Sequence, residues 1–242
     1  WLDGLFMAMP FYMKYDTTFG NKGNYQDIID QFTNVRTYLF CEEKQLYYHG
    51  FNESGIMPWA DKENRCSRSF WLRSIGWLLL ALIDTMEEMS DMLFEHFKKL
   101  EELFKEAIQG ILKYQDKESG LFYQVVDRPE LKDNYLETSG SAMISAAILK
   151  ACRLGVLLND KYQPIGEGIL KAIIEQKLVE EEGVVKLKDI CSMAGLGPGI
   201  ERDGSIAYYL SEPIVDNDQK GTGALLMAYG QWLKLNEKNG IK

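Results

Sequence analysis

Apolar residues recur along most of this chain at three- and four-residue steps, which is the helical period. In SDMLFEHFKKLEELFKEAIQGILKYQ (Ser90–Gln115) the stripe is Leu93, Phe97, Leu100, Phe104, Ile108 and Leu112, with Lys and Glu between them. That spacing predicts an amphipathic helix lying on a core, with Ser90 as its N-cap. NYQDIIDQFTNVRTYLF and PIGEGILKAIIEQKLV read the same way. Four other segments, WLDGLFMAMPFYMKY, FWLRSIGWLLLALIDTME, ETSGSAMISAAILKACRLG and KGTGALLMAYGQWLKL, are apolar nearly all round and rich in small residues. Helices of that kind are buried on most sides.

The two kinds alternate, inner helix then outer helix, in units of roughly 70 residues, a pattern of stacked helical hairpins that share a core. The loops repeat as well. CEEKQLYYHGF, DKESGLFYQVV and EEEGVVKLKDI each precede an inner helix and suit short strand pairs. Four inner and three outer helices are expected, which is about two thirds of a closed toroid of six hairpins. No Pro-, Gly- or Ser-rich linker interrupts residues 1–242, so a single domain is expected.

Composition narrows the function classes. A net charge of −9 argues against binding to nucleic acid or to acidic membrane surfaces. No apolar stretch is long enough for a membrane span, and WLLLAL is too short. Four cysteines without a CxxC pair suggest neither a disulfide framework nor a zinc site and fit a reducing, cytoplasmic setting. GTG at Gly221–Gly223 has no Walker lysine, and no GxSxG elbow occurs, so neither a nucleotide cofactor nor a serine nucleophile is indicated.

The candidate chemistry is concentrated near the inner-helix N-termini. Asp3 stands in an apolar run beside Trp1, and a carboxylate there needs either a raised pKa or a specific partner. A raised value would suit a general acid/base, whereas a capping carboxylate is the plainer alternative. His49 in LYYHGFN is either a cleft residue or a hydrogen-bonded structural one, and His96 lies on an outer helix. Two histidines exclude a metal site built on several of them. In SFWLRSIGW, Trp71, Arg73 and Trp77 fall within two turns. They could grip a carboxylate and stack on sugar rings, or Arg73 could be stacked on a tryptophan as a structural pair. The long loop GLGPGIERDGSIAYYLSEPIVDND offers Asp203, Ser205, Tyr208, Ser211 and Glu212 to a cleft, or is a surface excursion.

WLDGLFM, YYHGF, FWLRSIGW and AGLGPGIERDGSIAYYLSEPIVDNDQKGTGALLMA, taken in order, resemble the unsaturated uronyl hydrolases of glycoside hydrolase family 88 and, more closely, family 105, the unsaturated rhamnogalacturonyl hydrolases. The resemblance runs from Trp1 to about Leu235. It implies an all-α (α/α)6 barrel, here incomplete and without its first few helices. It implies removal of a terminal 4,5-unsaturated uronic acid from an oligosaccharide, a pectin-derived unsaturated galacturonyl–rhamnose above all, with no cofactor or metal. By the same resemblance Asp3 is the general acid/base, and Trp1, Met7, His49, Trp71, Arg73 and Trp77 line the substrate cleft. The family's further N-terminal aspartate has no counterpart in this sequence. Phe51, Asn52 and the Ser74–Ile75 pair depart from common family residues. An open barrel edge would expose apolar flanks, so a homo-oligomer covering it is a further expectation. The alternative function is a catalytically impaired remnant that only binds sugars or self-associates.

Overall fold

The computed structural model describes residues 1–90 and 94–238. Seven long helices follow the predicted alternation. The inner helices are α1 (Leu2–Thr18), α3 (Leu72–Glu87), α5 (Thr138–Leu154) and α8 (Gln219–Lys238). The outer helices are α2 (Tyr25–Leu39), α4 (Phe94–Ile111) and α6 (Asn159–Lys177), while α7 (Ile206–Ser211) is a short helix inside the last long loop. Inner helices pack in the series α1, α3, α5, α8; α2 sits against α1 and α4, α4 also against α3, and α6 against α5 and α8, and the whole is an arc of an (α/α) barrel. Leu93, the first residue of the expected α4 stripe, lies outside the described residues, so the N-cap expected at Ser90 falls beside them. Of the rest of the stripe, Leu100, Phe104 and Ile108 are fully buried, and Phe97 and Leu112 are partly buried against the same core.

The loops before the inner helices carry the expected strand pairs in two cases. β1 (Phe40–Cys41) pairs antiparallel with β2 (Leu46–Tyr47), and β3 (Leu178–Glu181) with β4 (Val184–Leu187). The DKESGLFYQVV loop makes isolated bridges instead, Tyr123 with Leu136 and Trp71 with Val125. A third pair, β5 (Ile190–Cys191) with β6 (Ile214–Val215), closes the base of the long loop that holds α7.

α3 and α5 meet the expectation of all-round burial: every residue of α5 from Thr138 to Cys152 is buried. They approach closely because Gly140 faces Leu72. A Cβ at Gly140 would lie 2.5 Å from Leu72 Cγ, so any larger residue would push the helices apart. The outermost inner helices differ from the expectation. α1 exposes Met7, Phe11 and Tyr15, with Phe19 just beyond its end, and α8 exposes Leu226, Tyr229 and Leu233. The composition of α1 and α8 matches that of α3 and α5, but as the ends of the arc each has an inner neighbour on one side only among the described residues. All four cysteines are free, and no helix among the described residues is long and apolar enough to cross a membrane.

Candidate active site

The N-terminus of α1 is pinned to the loop after β2. Leu2 N donates to His49 O at 3.0 Å, and the next residue, Gly50, is tied to Ser67 by two hydrogen bonds, Ser67 N to Gly50 O at 2.8 Å and Gly50 N to Ser67 Oγ at 3.3 Å. The Trp1 ring lies directly on Gly50. A Cβ there would meet Trp1 Cδ1 at 2.9 Å and Leu196 Cδ1 at 2.7 Å, so glycine is what lets Trp1 settle over the loop.

This places Asp3, in the first turn of α1, against His49. Asp3 Oδ2 lies 3.0 Å from His49 Nε2. The distance is that of a hydrogen bond, but the carboxylate sits off the line of the ring N–H, and neither buried atom has a well-aligned partner. An under-satisfied buried acceptor costs about 1–3 kcal/mol and is the kind of exception that a functional site retains. His49 is fully buried, whereas 22% of the Asp3 side chain remains exposed. Asp3 heads the same helical face as Met7, Phe11 and Tyr15, each four residues further on and exposed.

The electrostatics correct one expectation. Burial pushes the Asp3 carboxyl up, but the hydrogen bond and positive potential from His49 pull it down further, and its pKa ends below the usual aspartate range. The group has its specific partner, not a raised pKa, and it rests ionised at neutral pH.

His49 is held on all sides. Trp1 is tilted over it at 5.5 Å, Trp71 lies at 4.8 Å, and Nδ1 is 2.7 Å from the hydroxyl of Tyr209. Trp71 donates its indole N–H to Gln124 Oε1 at 3.2 Å. Two substrate-contact expectations change here. Trp71 and Arg73 are each only 1% exposed and, as the side chains stand, offer no surface to a sugar. The Arg73 guanidinium stacks over Trp71 at 5.0 Å, donates to Cys191 O at 2.5 Å and to Ser139 Oγ at 3.2 Å, and stands 4.0 Å from the buried Glu137 carboxylate. Its Nη1 and Nη2 are engaged by Ser139 and by the carbonyls of Cys191 and Ser192, while the buried Nε has no hydrogen-bond partner among the described residues, and the side chain braces the site from behind. Trp77 is half-buried against Phe6 at 4.5 Å; Trp1, 51% exposed, and Met7, 63% exposed, are the open candidates for a cleft wall.

The long loop serves the site in an unexpected way. Asp203 accepts from Ser205 N, Ser205 Oγ caps α7 by accepting from Tyr208 N, Ser211 donates to Tyr208 O, and the Tyr208 hydroxyl accepts from Gly195 N. Those residues build the loop itself. The side chain that the loop delivers is Tyr209, the neighbour of a residue singled out in the sequence. Glu137 and Gln124 also went unnoticed in the sequence, although an acid immediately before TSGS at a helix start is a capping signal. Among the described residues no cluster of three or more His, Cys, Asp or Glu could hold a metal ion.

Residues 1–236 match Glycosyl Hydrolase Family 88. The chain belongs to that family. Among solved structures it is similar to a family 105 glycoside hydrolase from C. acetobutylicum ATCC 824, 40% identical, with a TM-score of 0.91 over 96% of this chain and 64% of that one. The 24.9 kDa protein in the picA locus of Rhizobium radiobacter is 37% identical over 95% of this chain and 99% of its own length. The unsaturated rhamnogalacturonyl hydrolase YesR of Bacillus subtilis is 26% identical over 76% of this chain and 48% of its own length. This family 88 chain therefore spans nearly all of the first relative, but under two thirds of the solved structure and about half of the Bacillus enzyme.

Proposed function

We propose that this chain carries the acid/base centre of a hydrolase that removes a terminal 4,5-unsaturated uronic acid from an oligosaccharide, with an unsaturated galacturonyl–rhamnose as the preferred disaccharide. The observation that carries the reading is the Asp3–His49 pair at 3.0 Å: a partly exposed carboxylate with an under-satisfied oxygen, under a half-exposed tryptophan. The likeness to YesR supports the substrate class.

The chemistry needs one group that gives a proton and takes one back. Asp3 in its acid form protonates C4 of the C4–C5 double bond. The cation left at C5 is stabilised by the ring oxygen. Water attacks C5 and gives its proton to the Asp3 carboxylate, which restores the acid. The hemiketal at C5 opens to a ketone, the hemiacetal left at C1 collapses, and the neighbouring sugar leaves with its hydroxyl. No carboxylate attacks the anomeric carbon, so the two-carboxylate geometry of ordinary glycosidases is not required.

Asp3 rests ionised and must take up a proton before the first step. A substrate carboxylate placed beside it raises its proton affinity, and displacement of water does the same. The protonated fraction of the free protein falls as pH rises through the lowered Asp3 value. The kcat/KM profile is therefore expected to fall from the acid side toward neutral and alkaline pH. A profile that rises between pH 6 and 8 would remove Asp3 from the role of acid.

The direct test is to incubate the protein with unsaturated galacturonyl–rhamnose and follow loss of the double bond's ultraviolet absorbance. Unsaturated glucuronyl disaccharides serve as the comparison. Faster loss with the galacturonyl substrate supports the substrate choice. Stoichiometric release of free rhamnose supports the route. A folded sample that consumes neither substrate would leave the binding-only alternative.

A further inference from the structure

Three groups from distant parts of the chain form one line through the interior: the Asp3 carboxylate on α1, the His49 imidazole after β2, and the Tyr209 hydroxyl on α7. We propose that Tyr209 is a positioning residue whose buried hydroxyl donates to His49 Nδ1, fixes the ring proton on Nε2, and so presents an N–H to the Asp3 carboxylate. The catalytic consequence rests on the function proposed above; the proton placement does not.

The assignment follows from what each atom can do. Ionised Asp3 is acceptor only. A bare Nε2 at 3.0 Å would set lone pair against lone pair, so Nε2 carries the proton. We take the ring as neutral; Nδ1 is then an acceptor, and the group 2.7 Å away donates. Tyr209 can, because its side chain is fully buried and burial holds its proton far into the alkaline range. The other titratable groups acting on that hydroxyl are Tyr208, Asp3, Asp203 and Cys191, all of which disfavour a phenolate.

Positioning is needed because, among the described residues, the other polar group at the ring nitrogens is Asp3, and its contact with Nε2 is not a well-aligned hydrogen bond. Trp1 and Trp71 cover its faces, but a ring contact does not choose between tautomers. The Tyr209 ring is placed independently of its hydroxyl: it stacks on Trp71 at 6.0 Å and 22°, and its backbone carbonyl accepts from Gln124 Nε2 at 3.4 Å. Tyr209→Phe therefore removes the donor and leaves the packing.

The chain has two histidines, so the experiment is clean. The protein is labelled with 15N-histidine, and long-range 1H–15N correlations are recorded at neutral pH, with His96→Gln to assign the signals. The wild type is expected to show His49 with a protonated Nε2 and an unprotonated Nδ1. In Tyr209→Phe the two resonances should move toward each other as the proton spreads over both nitrogens. Turnover of the unsaturated disaccharide should fall about tenfold, mainly in kcat, on the scale of one lost orienting hydrogen bond. A wild-type His49 protonated on Nδ1 would overturn the assignment, and so would Tyr209→Phe resonances that stay in place. Resonances that move while turnover does not would overturn the positioning role. A wild type with the expected resonances and no turnover would refute the proposed function and leave the proton placement standing.

Discussion

Asp3→Asn is expected to lower the rate of double-bond loss by about a thousandfold, the scale on which a positioned general acid/base acts. The substitution keeps the shape of the side chain and takes away both the proton it would give and the charge that receives one. It also removes the partner that faces His49 Nε2. The fold should survive, because Asp3 is partly exposed and the α1 N-terminus is held independently by the Leu2 N–His49 O bond. Circular dichroism and a melting curve on the variant separate a lost step from a lost fold. Residual activity within tenfold of the wild type in a folded variant would mean that another group delivers the proton.

The second large effect concerns stability. Glu137→Ala is expected to cost about 3–5 kcal/mol, the range for removing one partner of a buried charge pair. The Glu137 carboxylate is fully buried. It accepts from Ser139 N at 3.1 Å, Gly140 N at 2.6 Å, Ser139 Oγ at 2.6 Å and Cys191 N at 3.1 Å, and it balances Arg73 at 4.0 Å. Alanine would leave those backbone amides at the start of α5 without an acceptor, and Arg73 without its counter-charge. Since a domain's whole stability is about 5–15 kcal/mol, the variant should sit near the edge of folding. Urea titration of Glu137→Ala and of Glu137→Gln would check this. Glutamine keeps an acceptor oxygen and should lose less. A loss below about 1 kcal/mol for alanine would show that water takes over the vacated partners.

Helix type was readable because periodicity is a local property. The stripe from Leu100 to Ile108 and the small-residue run from Ser139 to Ala147 each report their own environment within a few turns. What periodicity cannot report is whether a neighbour exists. Met7, Phe11 and Tyr15 have the composition of interior residues and stand exposed on the outermost helix. The site divides along the same line. Asp3 and His49 were legible as polar residues in apolar surroundings. Arg73 was legible as a cation of consequence, but its partners, Glu137, Ser139 and the carbonyl of Cys191, come from α5 and β5, far along the chain, and only the fold shows that they surround it. Tyr209 stands 160 residues from the histidine it touches, and a lone tyrosine beside another in a loop carries no local signal of that contact.

The arrangement of the inner helices also fixes where the molecule should open first. In a linear stack each layer is stabilised by its neighbours, and the end layers, with a neighbour on one side only, fray at a lower free energy than the middle. Among the described residues α3 and α5 each pack between two inner helices and α1 packs against one, α3, so in the 242-residue chain taken by itself α1 is an end layer. In that chain the Asp3 carboxylate, the acid/base proposed above, is thus carried by a layer poised to detach, not by the rigid centre. Amide protons of α1 should exchange with solvent well before those of α5, and heating should extinguish turnover some degrees below the collapse of the helical circular dichroism signal. With Asp3 as the proposed acid/base, the working lifetime of the 242-residue chain would be set by one helix terminus, not by the core behind it.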